Sequence, residues 1–326
     1  VVTSGAEQST LPASFRYLFV PKGNEPGRWM NMPALPVALG DVAAAEHDGV
    51  LFAFGEGSPA TLAYDVYAGT WSTSRAQRPL PGGRHAIEVI GGALYLFGGT
   101  GVAEGAVQIY DITMDTWSLG TPMPWPGSSV SSALIDGEVH VAGGVVGSMT
   151  VDDCAVYDPV ADGWTAQAPM PAPRNQASCA TDGHRLWIFG GCGPGSGDGG
   201  ELADGFADVQ VYDPITDAWE RSGDVGSTLV PMPFGRSGVG RAVFDRGRFH
   251  LFGGQTVTGP GANAAGVYDR ADVYDPETDT WSTEAGLPTA RQGLAGVLFE
   301  SRIFVLGGGL VAGAGGSTTA EVFTRQ

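Results

Sequence analysis

The stretch YDPETDTW, residues 274–281, occurs with small variations five times along the chain. In every copy a tyrosine-aspartate pair is followed by a tryptophan seven residues after the tyrosine. The five pairs are Tyr64 and Trp71, Tyr110 and Trp117, Tyr157 and Trp164, Tyr212 and Trp219, and Tyr274 and Trp281. The Asp, Pro and Gly residues between them favour a tight hairpin turn. This constant spacing of two uncommon residues indicates an internal repeat.

A second marker, a pair of glycines at the end of an apolar run, recurs in step with the first. It is found at Gly98-Gly99, Gly143-Gly144, Gly190-Gly191, Gly253-Gly254 and Gly307-Gly308, with a degenerate copy at Gly55. Successive first glycines are 43, 45, 47, 63 and 54 residues apart. Periods of about 20 to 50 residues are typical of solenoids and propellers. The 52 glycines and 22 prolines of the chain predict many short strands joined by tight turns.

Each repeat is interpreted as four antiparallel strands. The innermost is small and apolar, the second ends in the glycine pair, the third carries the tyrosine, and the outer strand begins near the tryptophan. These markers resemble the kelch repeat, whose pattern is a double glycine, then tyrosine, then tryptophan. The resemblance covers nearly the whole chain and implies an all-β, six-bladed kelch β-propeller in a single domain, residues 1–326. The expected blades are residues 37–80, 81–124, 125–171, 172–233, 234–288, and 289–326 together with 15–33.

The two chain ends are expected to complete the last blade together. After Gly307-Gly308 only one more strand remains, AEVFTRQ at residues 320–326, with Phe323 at the tyrosine position and no tryptophan after it. The N-terminal segment carries the unassigned Trp29. We therefore predict that the strand around Trp29 is the outer strand of the sixth blade, which removes free sheet edges. FRYLFV, residues 15–20, fits either an added outer strand or the third position of that blade.

Charge and composition exclude several classes of protein. The formal net charge is -18, which opposes binding to nucleic acid or to an anionic membrane surface. The sequence lacks an apolar run long enough for a membrane span, and residues 1–10 lack the features of a signal peptide. The bias toward Ala, Gly, Val and Asp suggests a bacterial source and an extracellular or periplasmic location. A monomer without cofactor is expected.

Four arginines precede innermost strands and are expected to line the axial opening: Arg84, Arg174, Arg236 and Arg291. They lie on the loop-rich face, which we define as the face carrying the loops before each innermost strand and after each glycine pair. In a radial array the four guanidinium groups would converge, and arginine suits bidentate binding of a carboxylate. The alternative is that each arginine binds loop carbonyls or an adjacent aspartate.

The residues expected to complete this pocket are His85, Asn175, Ser237 and Gln292. Trp125, in the loop before the third blade, could stack on a sugar ring or an apolar partner at the pocket rim. The alternative for Trp125 is packing under a neighbouring loop.

Metal and nucleophile chemistry receives little support. Similarity to the radical copper oxidases with kelch-like propellers fails, because of the five histidines only His85 lies near the loop-rich face. The acidic residues Asp198, Glu201, Asp204 and Asp208 could hold calcium, but their spacing is not that of an EF-hand, and a solvated acidic loop is the favoured interpretation. A Gly-x-Ser-x-Gly elbow before a helix is not found. No metal site is predicted.

Three cysteines are present, Cys154, Cys179 and Cys192, and an odd, low count excludes a disulfide framework. Cys154 and Cys192 are expected on the loop-rich face of adjacent blades. Either a bridge between them or two free, partly buried thiols fits the spacing.

Three functions follow from these features. The favoured one is a recognition module that binds a glycan, an acidic small molecule or an acidic peptide at the axial end of the loop-rich face. The second is an enzyme similar to the six-bladed kelch sialic acid mutarotases, with the arginines as a carboxylate clamp and His85 as acid and base. The third is a protein-docking scaffold, which large exposed apolar patches would favour.

Overall fold

The computed structural model describes residues 27–194, 205–257, 259–313 and 315–325. Within these residues, six four-stranded antiparallel sheets form the blades of a propeller. Each inner strand contacts the inner strands of both neighbouring blades, and the first contacts the sixth. The predicted all-β, six-bladed propeller is therefore confirmed. In the described ranges no helix is long and apolar enough to cross a membrane.

The strand bounds follow the repeat. The inner strands of blades one to six are Gly40–His47, Ala86–Ile90, Ser131–Ile135, Ser178–Thr181, Val243–Asp245 and Ala295–Phe299. The second strands are Val50–Glu56, Ala93–Phe97, Glu138–Ala142, Leu186–Phe189, Arg248–Phe252 and Arg302–Leu306. The third strands are Ser58–Asp65, Val107–Asp111, Cys154–Asp158, Val209–Asp213, Ala271–Asp275 and Ala320–Thr324. The outer strands are Thr70–Ser72, Thr116–Gly120, Gly163–Ala166, Ala218–Arg221, Thr280–Thr283 and Arg28–Asn31.

Two small elements complete the list. A hairpin of Val145–Val146 and Met149–Thr150 decorates the loop after the third blade's glycine pair, and a 3-10 turn spans Gly101–Ala103 in the second blade. Both lie on the loop-rich face, where the loops between second and third strands emerge.

The sixth blade is built from both ends of the chain. Arg28–Asn31 pairs antiparallel with Ala320–Thr324, and Trp29 lies opposite Phe323. The Trp29 indole Nε1 donates a hydrogen bond to Ala285 O of the fifth blade at 2.7 Å. The predicted closure is confirmed. Residues 15–20, whose position the sequence left open, lie outside the described residues.

Side chains of the tyrosine-tryptophan repeat form hydrogen bonds that connect a blade to the segment before it. In the fifth blade, Tyr274 Oη donates to Asp279 Oδ1 at 2.5 Å, and Asp279 Oδ1 also accepts from Val230 N of the preceding connection at 2.9 Å. Trp281 Nε1 donates to Val230 O at 3.1 Å. Burial, then the bond to Asp279, raises the pKa of Tyr274, which keeps its hydroxyl a donor. The turn length is fixed because Asp279 and Trp281 must both reach the Val230 backbone while Asp279 also accepts from Tyr274.

The glycine pairs are required where the second strand meets the next blade. Gly143 has a φ of 69°, and a Cβ atom there would lie 2.5 Å from Arg174 O. A side chain would therefore be strained and would clash with the backbone of the fourth blade.

Candidate functional site

On the loop-rich face, each blade contributes one residue beside the propeller axis whose backbone has a positive φ. These residues are Asp41, Arg84, Ser129, Gln176, Gly238 and Gly293, with φ values of 43, 59, 56, 49, 57 and 57°. Backbone hydrogen bonds run between them from blade to blade: Arg84 N to Asp41 O is 3.2 Å, and Ser129 N to Arg84 O is 2.9 Å. All six residues line one cavity of about 100 Å³, which we call the axial pocket.

The inner end of the axial pocket is closed by an ion pair. Arg241, on the fifth blade, reaches Glu88, on the second blade, with Nη2 2.7 and 2.9 Å from the two carboxylate oxygens. Ser132 Oγ of the third blade donates to Glu88 Oε1 at 2.6 Å. Burial alone would lower the pKa of Arg241, but the charge of Glu88 offsets it, so that the pKa is raised.

A second cavity, of about 320 Å³, begins on the far side of this ion pair. The two cavities share Ala44, Ile87 and Arg241 in their walls. The Arg241–Glu88 pair therefore lies between two vestibules, one open to each face of the propeller.

The rim of the axial pocket mixes charge, hydroxyl and apolar groups. Arg84 Nε lies 3.0 Å from Asp41 Oδ2, and both side chains are 19% exposed. Ser129 Oγ is buried and lacks a hydrogen-bond partner among the described residues. The apolar walls are formed by Val42, Ile87, Val130, Val239 and Leu294. The pocket thus offers a few polar groups within an apolar surround, which is typical of small-ligand sites.

The structure does not bring the four predicted arginines together. Only Arg84 lines the axial pocket. The other three form ion pairs inside their own blades: Arg174 with Asp208 at 2.6 Å, Arg236 with Asp272 at 2.6 Å, and Arg291 with Glu321 at 2.5 Å. Each guanidinium is buried, and a buried charge requires a partner. The arginines lie two positions before the axial residues Gln176, Gly238 and Gly293, whereas Arg84 occupies the axial position itself.

His85 lies at the axial pocket, but both of its ring nitrogens are engaged. Nδ1 lies 2.6 Å from Gly98 O, which fixes the proton on Nδ1, and Nε2 accepts from Arg78 Nη1 at 2.8 Å. Burial, then the charge of Arg78, lowers the pKa of His85 to about 4. His85 is therefore neutral near pH 7 and holds loops together.

The remaining predicted residues are buried and do not line the axial pocket. Trp125 is 6% exposed and donates from Nε1 to Gly143 O at 3.2 Å, so it packs under a loop and offers no stacking surface. Asn175 Nδ2 donates to Thr150 Oγ1 at 2.6 Å. Ser237 and Gln292 are also buried, with backbones paired to Gln255 and Gly309.

The predicted metal and disulfide features have separate outcomes. Asp198, Glu201 and Asp204 lie outside the described residues, and Asp208 accepts from Arg174 and Arg221. In the ranges that the structure covers, no group of three or more His, Cys, Asp or Glu residues could hold a metal. Cys154, Cys179 and Cys192 are buried thiols that form no disulfide among the described residues. Burial raises the pKa of Cys154 to about 12, so its thiol is protonated at neutral pH.

The loops of the loop-rich face carry exposed apolar side chains. They are Val102, Met149, Val257, Leu310 and Val311, which come from the second, third, fifth and sixth blades. The loops of the last two blades are joined by hydrogen bonds, with Ala312 N 2.9 Å from Ala265 O and Gly313 N 2.6 Å from Gln255 Oε1.

Beside this junction lies a cavity of about 540 Å³, which we call the side groove. It is lined by residues 261–263, Val267, Asp269, residues 288–290 and Leu310. Leu310, 46% exposed, is shared by the groove and by the exposed apolar set. The groove therefore adjoins the exposed apolar residues of the sixth blade, Leu310 and Val311.

Comparison with known proteins agrees with the repeat. A family model for the Kelch motif matches residues 81–124 and 173–225. Kelch-like protein terF of Aspergillus terreus is 26% identical over 91% of this chain and 68% of that protein. Kelch-like protein 15 of Danio rerio is 26% identical over 68% of this chain. The chain spans only 37% of that second relative.

The fold is also found among solved structures. The structure of YjhT superposes with a TM-score of 0.74 at 17% identity, covering 89% of this chain and 95% of that one. The two relatives are eukaryotic, so the bacterial source stays a prediction. The motif match and the relatives show that the chain is similar to kelch-repeat proteins, and the six four-stranded blades give it a six-bladed β-propeller fold.

Proposed function

We propose that the protein is a docking module that binds a protein partner on its loop-rich face. The observation that carries this proposal is the exposed apolar pair Leu310 and Val311 at the side groove, on a face whose loops also expose Val102, Met149 and Val257. Apolar side chains scattered singly on a surface need no explanation, whereas adjacent exposed apolar residues beside a groove are typical of an interaction site. The partner class agrees with the common use of kelch propellers as binding scaffolds.

Substitution of Leu310 and Val311 by Ser tests the docking proposal. Twelve-residue peptides selected on the wild-type propeller by phage display are expected to bind the double variant at least about tenfold more weakly, because buried apolar anchors dominate most interfaces. The affinities are measured by fluorescence anisotropy with the selected peptides. Both side chains are exposed, 46 and 54%, so the melting temperature should not change.

The matched control replaces two exposed apolar residues on the opposite face, Val160 and Ile215, by Ser. These residues lie in the turns between third and outer strands, and the control should bind the peptides with wild-type affinity. Equal losses in both double variants would contradict docking on the loop-rich face.

A second candidate is an acidic small ligand or peptide carboxylate bound in the axial pocket. Its support is the unpartnered, buried hydroxyl of Ser129 beside Arg84. A buried polar group without a partner is costly, and an incoming carboxylate would accept a hydrogen bond from the hydroxyl. The cavity of about 100 Å³ admits a carboxylate group and not a whole sugar ring.

A thermal-shift panel of sugar acids and short dicarboxylates tests this second candidate. A ligand at about 100 times its Kd is expected to stabilise the protein by about 2.7 kcal/mol, and Arg84→Gln or Ser129→Ala should abolish the shift. Arg246→Gln, an exposed arginine on the opposite face, serves as the control. A shift that persists in both pocket variants would eliminate the axial site.

The glycan and the sugar-isomerase alternatives receive less support from the geometry. A glycan site was expected to use Trp125, which is buried. The isomerase hypothesis assigned His85 as the acid and base, and both nitrogens of His85 are engaged within the protein.

A further inference from the structure

We infer that the side groove binds a lysine or arginine side chain carried by an apolar segment of the docked partner. This inference rests on the proposed docking function and names the chemistry of the partner. It is carried by one exposed carboxylate in a groove of mixed polar and apolar lining, and by the charge of the surrounding face.

The carboxylate is that of Asp269. It lines the groove and is exposed, and no ion pair of the described ranges includes it. Its backbone oxygen accepts from Leu287 N at 2.7 Å, which holds the residue at the junction of the fifth and sixth blades. Asp269 is therefore a fixed negative charge that faces solvent.

The neighbouring cation does not neutralise Asp269. Arg270 points into the fifth blade, where Nε donates to Asp272 Oδ2 at 3.0 Å, and its guanidinium stacks on Phe234 at 4.4 Å. Asp272 also binds Arg236. Arg270 is thus paired with the buried carboxylate of Asp272 and not with Asp269.

The groove walls suit the aliphatic stem of a long basic side chain. Leu310, which is 46% exposed, lines the groove together with residues 288–290, Pro-Thr-Ala. Lysine and arginine bury their methylene stems along apolar surfaces while the charged head reaches a carboxylate or water. A small anion would be repelled, and an apolar side chain would leave the desolvated carboxylate without a partner.

The wider face has the same sign of charge. Exposed acidic residues on its loops are Glu56, Glu104, Asp152, Asp153 and Asp269. Five of its arginines, by contrast, are paired with carboxylates of the protein, and the buried Arg78 bonds His85 and backbone carbonyls. The whole chain carries a formal charge of -18, so electrostatic complementarity favours a basic partner segment and opposes a second copy of this chain.

The test compares peptides selected on the full-length wild-type protein with those selected on Asp269→Asn. Wild-type selection should enrich lysine or arginine next to an apolar residue, and Asp269→Asn should raise the Kd of those peptides about three- to tenfold. Their Kd on wild type should also rise with NaCl concentration. Glu104→Gln, an exposed acidic residue outside the groove, is the matched control and should change the Kd less than twofold.

Three results would overturn the inference. If the peptides lose affinity for the Leu310 and Val311 double variant but not for Asp269→Asn, the docking proposal stands and the cationic partner is wrong. Equal increases in Kd for Asp269→Asn and Glu104→Gln would mean that the peptides respond to the overall negative charge of the face and not to the groove. If every selected peptide binds both the Leu310 and Val311 double variant and Asp269→Asn with wild-type affinity, both proposals are wrong.

Discussion

Removal of residues 1–33 should lower the melting temperature of the protein by at least about 10 °C, because the sixth blade loses its outer strand. The deleted strand, Arg28–Asn31, is paired along its length with Ala320–Thr324. Its Trp29 packs on Phe252 and Phe323, with ring centroids 5.6 and 5.1 Å apart. Loss of one packed tryptophan typically costs about 3–5 kcal/mol, and the deletion also exposes a strand edge. The measurement is differential scanning calorimetry of the purified chain.

A peptide with the sequence of residues 27–36, GRWMNMPALP, provides the control. Added in excess to the truncated protein, it should restore part of the lost stability by mass action. The same peptide with Trp29→Ala should restore much less, because Nε1 of Trp29 also bonds Ala285 O at 2.7 Å. A truncated chain that melts at the wild-type temperature would refute closure by the N-terminal strand.

Arg291→Ala should destabilise the protein by about 3–5 kcal/mol, the usual cost of breaking a buried ion pair. Glu321 lies 2.5 Å from Arg291 Nη1, and their side chains are 2 and 0% exposed, respectively. The guanidinium also donates to Gly307 O at 2.8 Å and Val305 O at 3.1 Å. The substitution therefore leaves a carboxylate and carbonyls unsatisfied in the interior. Urea unfolding monitored by tryptophan fluorescence measures the change.

Arg248→Ala is the matched control for this prediction. Arg248 pairs with Asp275 at 3.0 Å, but its side chain is 52% exposed. Surface ion pairs contribute little because water and salt screen them, so this variant should unfold at nearly the wild-type urea concentration. Similar losses in Arg248→Ala and Arg291→Ala would mean that burial does not set the strength of these pairs.

The buried ion pairs also explain which features of the axial pocket could be predicted from the sequence and which could not. The pattern of prolines and arginines located the loops that surround the axis. It aligned Arg84 with Arg174, Arg236 and Arg291, although the backbone places Arg84 two positions later, on the axis. Side-chain direction depends on that local register, and a spacing counted from prolines does not contain it.

Other groups of the axial pocket were missed for a related reason. Arg241 and Glu88 are 153 residues apart in sequence, and their pairing across the axis exists only because blades two and five meet there. A charge on an apolar inner strand was the available signal, in GVGRAVF and in AIEVI. That signal indicates an inward-facing charge but does not identify its partner.

By itself the sequence determined the number of blades, the order of strands within each blade and the closure by both chain ends. Those features rest on local chemistry: tight turns, positive-φ glycines and the tyrosine-aspartate-tryptophan lock, which act between residues close in sequence or at one fixed period. Only the tertiary structure decided which side chains reach the axis and which arginines form ion pairs inside the protein. It also decided that a groove forms beside the loops of the fifth and sixth blades. Such contacts depend on the packing of distant blades, and a change of two residues in register exchanges a surface group for a buried one.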